Sequence, residues 1–520
     1  MSLHSARTIA GNAGFYFVRQ VVVFGLGLVT SVILARSFGP ETMGSYAQVL
    51  WLAGLLGLLV SPGLVQSVGR YVAEAAGTGE TSRVSAVIRF FVLLQLLLLL
   101  PLAAVLLFGD AVARSFSIAG GQLYVILAVV GLVPGLLAYI LSAVLGGLLR
   151  FKYAAIADIA ASLALFGLTI LALVSRRGLT GTLVAVAMAN VVSLLLNATF
   201  LGRNGVRVWG SGLQPVYRNR LIRFTLNMGL LRIVEAVRWQ RLEVFFLGKF
   251  SPSEEIAFYS LGHNLAIMSM TVSVGSLMGV LVPLLTGMHS RQDQARVDRV
   301  FVLASRYVAI LAFWICAGAL ALARPAIQLL YGQEYNLAAS VLAIIIVGTA
   351  ASQVGWVAAG VLQAVERADV LLRFSLAAAG LNVLCNALLT PQYHSLGASI
   401  ANTTVQVLSA IALIVYVCLK RRTRYPVRSL LRTVLASGTV AWLARLTIAP
   451  IDGWAGLFVG VMLVLVMYPL LLLILRVIEA YDLALLGELS PHLGFLARSR
   501  LLLCLCRPVQ EPCEGFKDVP

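Results

Sequence analysis

Charge is scarce in this chain of 520 residues: Asp, Glu, Lys and Arg together make up 12%, about half of what a soluble domain carries. Large polar segments are missing as well. The longest interval between apolar runs, residues 202–222, cannot house a nucleotide-binding domain, and no GxxxxGK phosphate loop occurs. ATP-driven transport within this chain is therefore disfavoured. Cysteine is sparse: Cys316, Cys385 and Cys418 fall in apolar runs, and Cys504, Cys506 and Cys513 lie close to the last residue. None stands at a metal-ligand spacing from the five scattered histidines, which argues against a disulfide framework and a structural zinc site. No Ser/His/Asp, Cys/His or paired-carboxylate arrangement stands out, so nothing points to an enzyme and no cofactor is expected.

Apolar residues fill the space instead, at 60% of the chain and a mean hydropathy of +0.94. Runs of about 20 apolar residues recur along the length, each able to cross a hydrocarbon core about 30 Å thick. Open strands would leave backbone groups unpaired in lipid, and the runs are too uniformly apolar for barrel strands. The fold class is all-α: a polytopic membrane protein of about 14 transmembrane helices, expected at 12–35, 43–69, 84–108, 121–148, 153–174, 179–201, 223–248, 256–287, 300–323, 337–363, 371–390, 396–418, 430–449 and 454–476. The first run contains Arg19 and leads straight into another apolar run, so it reads as a retained helix rather than a cleaved signal.

The formal net charge of +18 raises the possibility of nucleic acid, but its distribution excludes that partner. Basic residues sit in alternate short loops, as the positive-inside rule requires. With the N-terminus in the cytoplasm, the cytoplasmic segments before the tail hold 23 Lys and Arg, and the opposite loops hold six: Arg36, Arg114, Arg176, Arg177, Lys249 and Arg324. Both termini are expected in the cytoplasm, with the basic loops facing anionic membrane lipid.

Two short polar gaps resemble one another. RSFGPETMGSYA (36–47) follows the first span and GKFSPSEEIAFYS (248–260) follows the seventh. LLFGD (106–110) is echoed by LLYGQE (329–334), and GGLLRFKY (146–153) more weakly by AGVLQAVER (359–367). Three echoes in the same order imply two six-helix repeats around a central cavity, arranged in parallel as in rocking transporters. The division is an N-terminal lobe at 1–202, a cytoplasmic connector at 203–222 and a C-terminal lobe at 223–419, then two added helices at 420–476 and a cytoplasmic tail at 477–520. Tyr46 suits an interfacial anchor beside the first turn.

ILARSFGPETMGSYA, LLRFKYAAIADIAASL, RLEVFFLGKFSPSEEIAFYSLGHNLA and AIQLLYGQEYNLAASVLAIII resemble the polysaccharide-biosynthesis export proteins. These are the Wzx-type oligosaccharide flippases of the multidrug/oligosaccharidyl-lipid/polysaccharide exporter superfamily. The resemblance covers about residues 5–420. It implies alternating access in a bacterial inner membrane, moving an undecaprenyl-diphosphate-linked oligosaccharide from the inner to the outer leaflet for O-antigen or exopolysaccharide synthesis. It also implies pathway partners, a polysaccharide polymerase and glycosyltransferases. A cation-coupled multidrug antiporter of the same superfamily is the alternative.

Ionisable residues inside spans are costly and usually face a cavity. LLRIVEAVRWQRLEVFF places Arg232, Glu235, Arg238 and Arg241 at steps of three, neighbours on one helix face. They form either a structural ladder of ion pairs or a cationic wall for a diphosphate, which arginine grips with a two-pronged fork. Arg19 joins them as a substrate-binding candidate, or it snorkels to the headgroups. Arginines on the first helices of related lipid flippases favour the cavity. Asp158 and Glu243 are the candidates for ion coupling, with Asp158 expected to pair with Arg150 or Lys152. Asn190, Asn197, Asn382 and Asn386 suit interhelical hydrogen bonds or sugar contacts.

Overall fold

The computed structural model describes residues 3–77, 81–118, 120–203, 215–239, 242–273, 281–282, 284–288, 293–365, 367–423, 425–451 and 453–478. Among these every regular element is helical. In chain order they are α1 (Leu3–Val60), α2 (Leu64–Gly77), α3 (Thr81–Leu99), α4 (Pro101–Leu107), α5 (Gly109–Ser115), α6 (Gly121–Gly147), α7 (Phe151–Val174) and α8 (Gly178–Arg203). Then come α9 (Pro215–Trp239), α10 (Leu242–Phe250), α11 (Ser253–Ser273), α12 (Gln294–Tyr331), a 3-10 turn (Gln333–Tyr335), α13 (Asn336–Ala364), α14 (Ala368–Arg421), α15 (Val427–Ile448) and α16 (Gly453–Ile474).

Nine runs among the described residues are long and apolar enough to cross a bilayer. Two are far longer than one crossing: 43 residues in Val18–Val60 and 53 in Asp369–Arg421 would extend about 65 and 80 Å at 1.5 Å per residue. Each is broken near its middle. Gly39 takes φ 72° and ψ 174° ahead of Pro40, a conformation only glycine adopts cheaply. His394 takes φ 49° and ψ −127°, three residues after Pro391. The breaks fall where the sequence separates spans 1 from 2 and 11 from 12.

Prolines also cut helices that were expected to run on. Ser61–Pro62–Gly63 separates α1 from α2 inside the span expected at 43–69, and Pro101 opens α4 inside the one expected at 84–108. In both cases a missing N–H interrupts the ladder. The helix expected from 223 begins earlier: Pro215 starts α9, at the first helical position where proline costs nothing. Most of the connector and nearly all of the tail lie outside the described residues.

The described residues condense into two compact units, neither of them a contiguous half of the chain. One is drawn from Met1–Asn264, Leu330–Val341 and Asp369–Val405. Its core joins Leu64, Tyr71 and Val72 of α2 to Ile88 and Phe91 of α3, Val144 and Leu145 of α6 and Leu221 of α9. Asn190 on α8 donates to the Gly131 carbonyl of α6 at 2.9 Å, the interhelical role read from the sequence. Asn197 instead bonds back to Ser193 on its own helix at 2.8 Å.

The other unit is drawn from Leu265–Leu329, Leu342–Ala368 and Gln406–Pro520. In it α15 and α16 lie against α12 through Ala317, Ala321, Val440, Ala444, Val464 and Tyr468. Three polar side chains fix the register on α12: Ser437 Oγ donates to the Phe313 carbonyl, Tyr468 OH to Ile310 and Arg445 Nε to Leu320, each at 2.8 Å.

Candidate functional site

The echoed turns meet in the first unit. A Cβ built on Gly44 would stand 1.7 Å from the Ser253 carbonyl oxygen, so RSFGPETMGSYA and GKFSPSEEIAFYS touch backbone to backbone. Each turn also holds a second loop. Arg36 Nε donates to the Leu330 carbonyl at 2.7 Å and Tyr335 OH to Ala35 at 3.0 Å, tying the first turn to the LLYGQEY segment. Ser251 Oγ lies 2.9 Å from His394 Nδ1, and Glu255 Oε2 accepts from the Ser395 N–H at 3.1 Å, so the second turn clamps the break in α14. Below the seam a cavity of about 360 Å³ is lined by Met43, Tyr46 and Trp51 of α1 and by Ala257, Ser260 and Asn264 of α11. Tyr46 is 8% exposed and faces this cavity, a correction to its reading as a lipid-interface anchor.

Two of the candidate residues come together. Arg19 Nε donates to Asp158 Oδ2 at 2.6 Å, with the side chains 29% and 20% exposed. Asp158 was expected to pair with Arg150 or Lys152; α1 packs along α7 and brings Arg19 to it instead. The pair carries no net charge, and removing either partner would leave the other uncompensated at a part-buried position.

Glu243, in the first turn of α10, is 1% exposed. Its Oε1 accepts from Asn382 Nδ2 at 3.0 Å and Asn402 Nδ2 at 2.9 Å. The network runs on along α14: Asn386 Nδ2 donates to Asn382 Oδ1 and Thr390 Oγ1 to Asn386 Oδ1, both at 3.0 Å. Positions 382, 386 and 390 share one helix face, and Asn402 arrives from beyond the His394 break. Asn402 went unread in the sequence, since nothing local marks a partner 159 residues away. Two amide N–H donors thus hold one oxygen of the buried carboxylate in place.

The remaining candidates lie on or just after α9. Arg232 is exposed, and Gln66 of α2, with its amide oxygen turned to the guanidinium, accepts from Arg232 Nε at 2.9 Å. Glu235 and Arg238 belong to α9 by backbone, but their side chains lie outside the described residues, as does the whole of Arg241.

Residues 9–289 match the polysaccharide biosynthesis protein family. The chain belongs to that family. One relative, the succinoglycan biosynthesis transport protein ExoT of Rhizobium meliloti (strain 1021), is 25% identical over 354 residues. That alignment covers 66% of each chain, just under two thirds of the relative's length. The family member described here has a fold similar to the lipid II flippase MurJ in its inward closed conformation. The TM-score is 0.70 over 88% of this chain and 97% of that one, at 13% identity. An inward-facing multidrug resistance MATE family transporter of the MOP superfamily matches at 0.66 over 78% and 94%, with 15% identity. The fold is therefore one that membrane transporters use.

Proposed function

We propose that this polysaccharide biosynthesis protein is a flippase. It moves a lipid-linked oligosaccharide, with undecaprenyl diphosphate as the carrier, from the inner to the outer leaflet of a bacterial cytoplasmic membrane. The observation that carries the reading is the family match over residues 9–289, a stretch that contains Arg19, Asp158 and every charged position of α9. A transport protein of succinoglycan biosynthesis among the relatives favours a polysaccharide cargo, and the MurJ-like fold suits a glycolipid. Polymerase and glycosyltransferases of the same pathway are the expected partners.

In this reading two six-helix lobes, 1–202 and 223–419, rock about a central cavity in a chain of 14 crossings, with both termini cytoplasmic. Arg232, Glu235, Arg238, Arg241 and Arg19 take the diphosphate, and Glu243 and Asp158 couple transport to an ion. The polar network about Glu243 supports the first of these coupling assignments, because a carboxylate buried in a span is costly and is retained where it functions. The fold shared with multidrug transporters keeps a cation-coupled antiporter as the second reading.

Liposome transfer decides between them. The purified chain should move a lipid-diphosphate oligosaccharide between leaflets, and Arg232→Gln/Arg238→Gln/Arg241→Gln should slow that transfer at least about tenfold, the loss of one charge-assisted bond or more. Unchanged transfer in the triple variant sinks the site. Drug efflux without glycolipid movement selects the antiporter.

A further inference from the structure

Apart from the spans' interior, α2 and the first turns of α9 enclose a cleft of about 470 Å³ whose lining includes Arg70, Tyr71, Arg220, Arg223, Phe224 and Asn227. Three of its lining residues are arginines and none is a carboxylate. Glu74 balances one of them: Arg220 Nη1 donates to Oε1 at 3.0 Å and Nη2 to Oε2 at 3.3 Å. The other two charges have no carboxylate in the lining to offset them.

Aromatic rings give the cleft a fixed shape. Tyr71 and Phe224 meet edge to face, 5.4 Å apart at 89°, and Arg70 Cζ stands 4.4 Å from the Phe224 ring centre. Such stacking occupies the flat face of a guanidinium and keeps its N–H donors in the plane, along the edge. A planar row of donors matches two oxygens of a phosphate.

Depth selects the kind of phosphate. Along α9, Arg218, Arg220 and Arg223 are followed by Leu226 and Leu230, 62% and 64% exposed. A helix that passes from arginine to exposed leucine within two turns crosses from headgroup to hydrocarbon. Leu226 and Leu230 lie outside the cleft's lining, farther along the same helix; a soluble phosphate has no use for them, whereas a lipid bound in the cleft has a tail to lay against them. The distribution of arginine assigns this end of both helices to the cytoplasm.

We propose that the cleft between α2 and α9 binds the phosphate or diphosphate of a lipid presented from the cytoplasmic leaflet. The proposal deepens the flippase reading and rests on it for which lipid arrives, while the phosphate chemistry stands on the cleft alone. Two lipids share that chemistry: the diphosphate-linked cargo and bulk anionic phospholipid.

The test titrates the full chain, in phosphatidylcholine nanodiscs, with polyprenyl diphosphate, phosphatidylglycerol and inorganic pyrophosphate. Arg70→Gln/Arg223→Gln should weaken lipid binding at least about tenfold at low salt. Loss confined to polyprenyl diphosphate assigns the cleft to cargo; equal loss for phosphatidylglycerol assigns it to bulk lipid; either supports the proposal. Unchanged binding of both lipids overturns it, as does pyrophosphate binding more tightly than either. Because Arg70 packs on Phe224, Asn227→Asp provides a second variant. It places a negative charge at an exposed position without touching the stack, and should weaken both lipids several-fold; no effect there also overturns the cleft. Glycolipid transfer is measured on the same preparation. A wild type that binds lipid in the cleft but moves none sinks the flippase reading and leaves the cleft standing, whereas transfer without cleft-dependent binding sinks the cleft alone.

Discussion

A methyl group at position 44 has nowhere to go: its carbon would lie 1.7 Å from the Ser253 oxygen and 2.5 Å from the carbonyl carbon. Gly44→Ala must move backbone, and should lower the stability of the purified chain by about 2–3 kcal/mol, the upper range for overpacking. Gly25 supplies the control. It lies inside α1 with nothing within 4 Å, so Gly25→Ala should be neutral or stabilising by up to about 1 kcal/mol. Thermal unfolding in detergent reads both; equal melting of the two variants would disprove the close contact. Glu243 separates shape from charge. Glu243→Gln keeps an oxygen for Asn382 and Asn402, so stability should change by less than about 1 kcal/mol while any dependence of transport on an ion gradient disappears. Glu243→Leu removes that acceptor from both amides and should cost about 1–3 kcal/mol for each. Gradient dependence that survives Glu243→Gln would relocate coupling to Asp158 or elsewhere.

At the scale of elements, α15 and α16 attach to α12 in a medium where apolar contact alone is cheap. Lipid tails solvate Ala317 and Val440 about as well as protein does, so packing and polar links must supply the specificity. The chain truncated after residue 426 should therefore still insert and fold its first unit, yet melt lower than the full chain. Ser437→Ala should reproduce a part of that loss, about 1 kcal/mol for one bond to the Phe313 carbonyl. Equal melting of the truncated and full chains would mean the added pair is a passenger. Element positions are largely legible in the sequence. The run expected at 121–148 is α6 (Gly121–Gly147), and that at 153–174 is α7 (Phe151–Val174), because apolarity and turn residues are local properties. Pro62 and Pro101 were overlooked for the opposite reason: each sits inside an apolar run whose hydropathy does not change at the break.

For the whole molecule, orientation is the property most open to direct measurement. With the six native cysteines replaced by serine, Gln333→Cys and Lys420→Cys both place a thiol at an exposed position. A maleimide that cannot cross membranes should label Gln333→Cys in intact cells and Lys420→Cys only in inverted vesicles. The reverse pattern would turn the chain over and move the α2–α9 cleft to the other leaflet. Long-range structure is where the sequence fell short. Charge bias and three loose echoes indicated direction and duplication, but no periodicity joins Arg19 to Asp158 across 139 residues or Glu243 to Asn402 across 159. Those pairings exist only once helices have chosen neighbours, and that choice depends on packing that a linear pattern does not record.

The seam at Gly44 bears on heredity as much as on mechanics. The residue at the matching place in the other turn is Ala257, fully buried with its methyl in place, whereas position 44 tolerates no methyl at all. If the two turns descend from one ancestral segment, the contact holds only the first copy to glycine and leaves the second free to carry a methyl. A duplicated chain is free to drift almost anywhere; at this seam one copy lost that freedom and the other kept it.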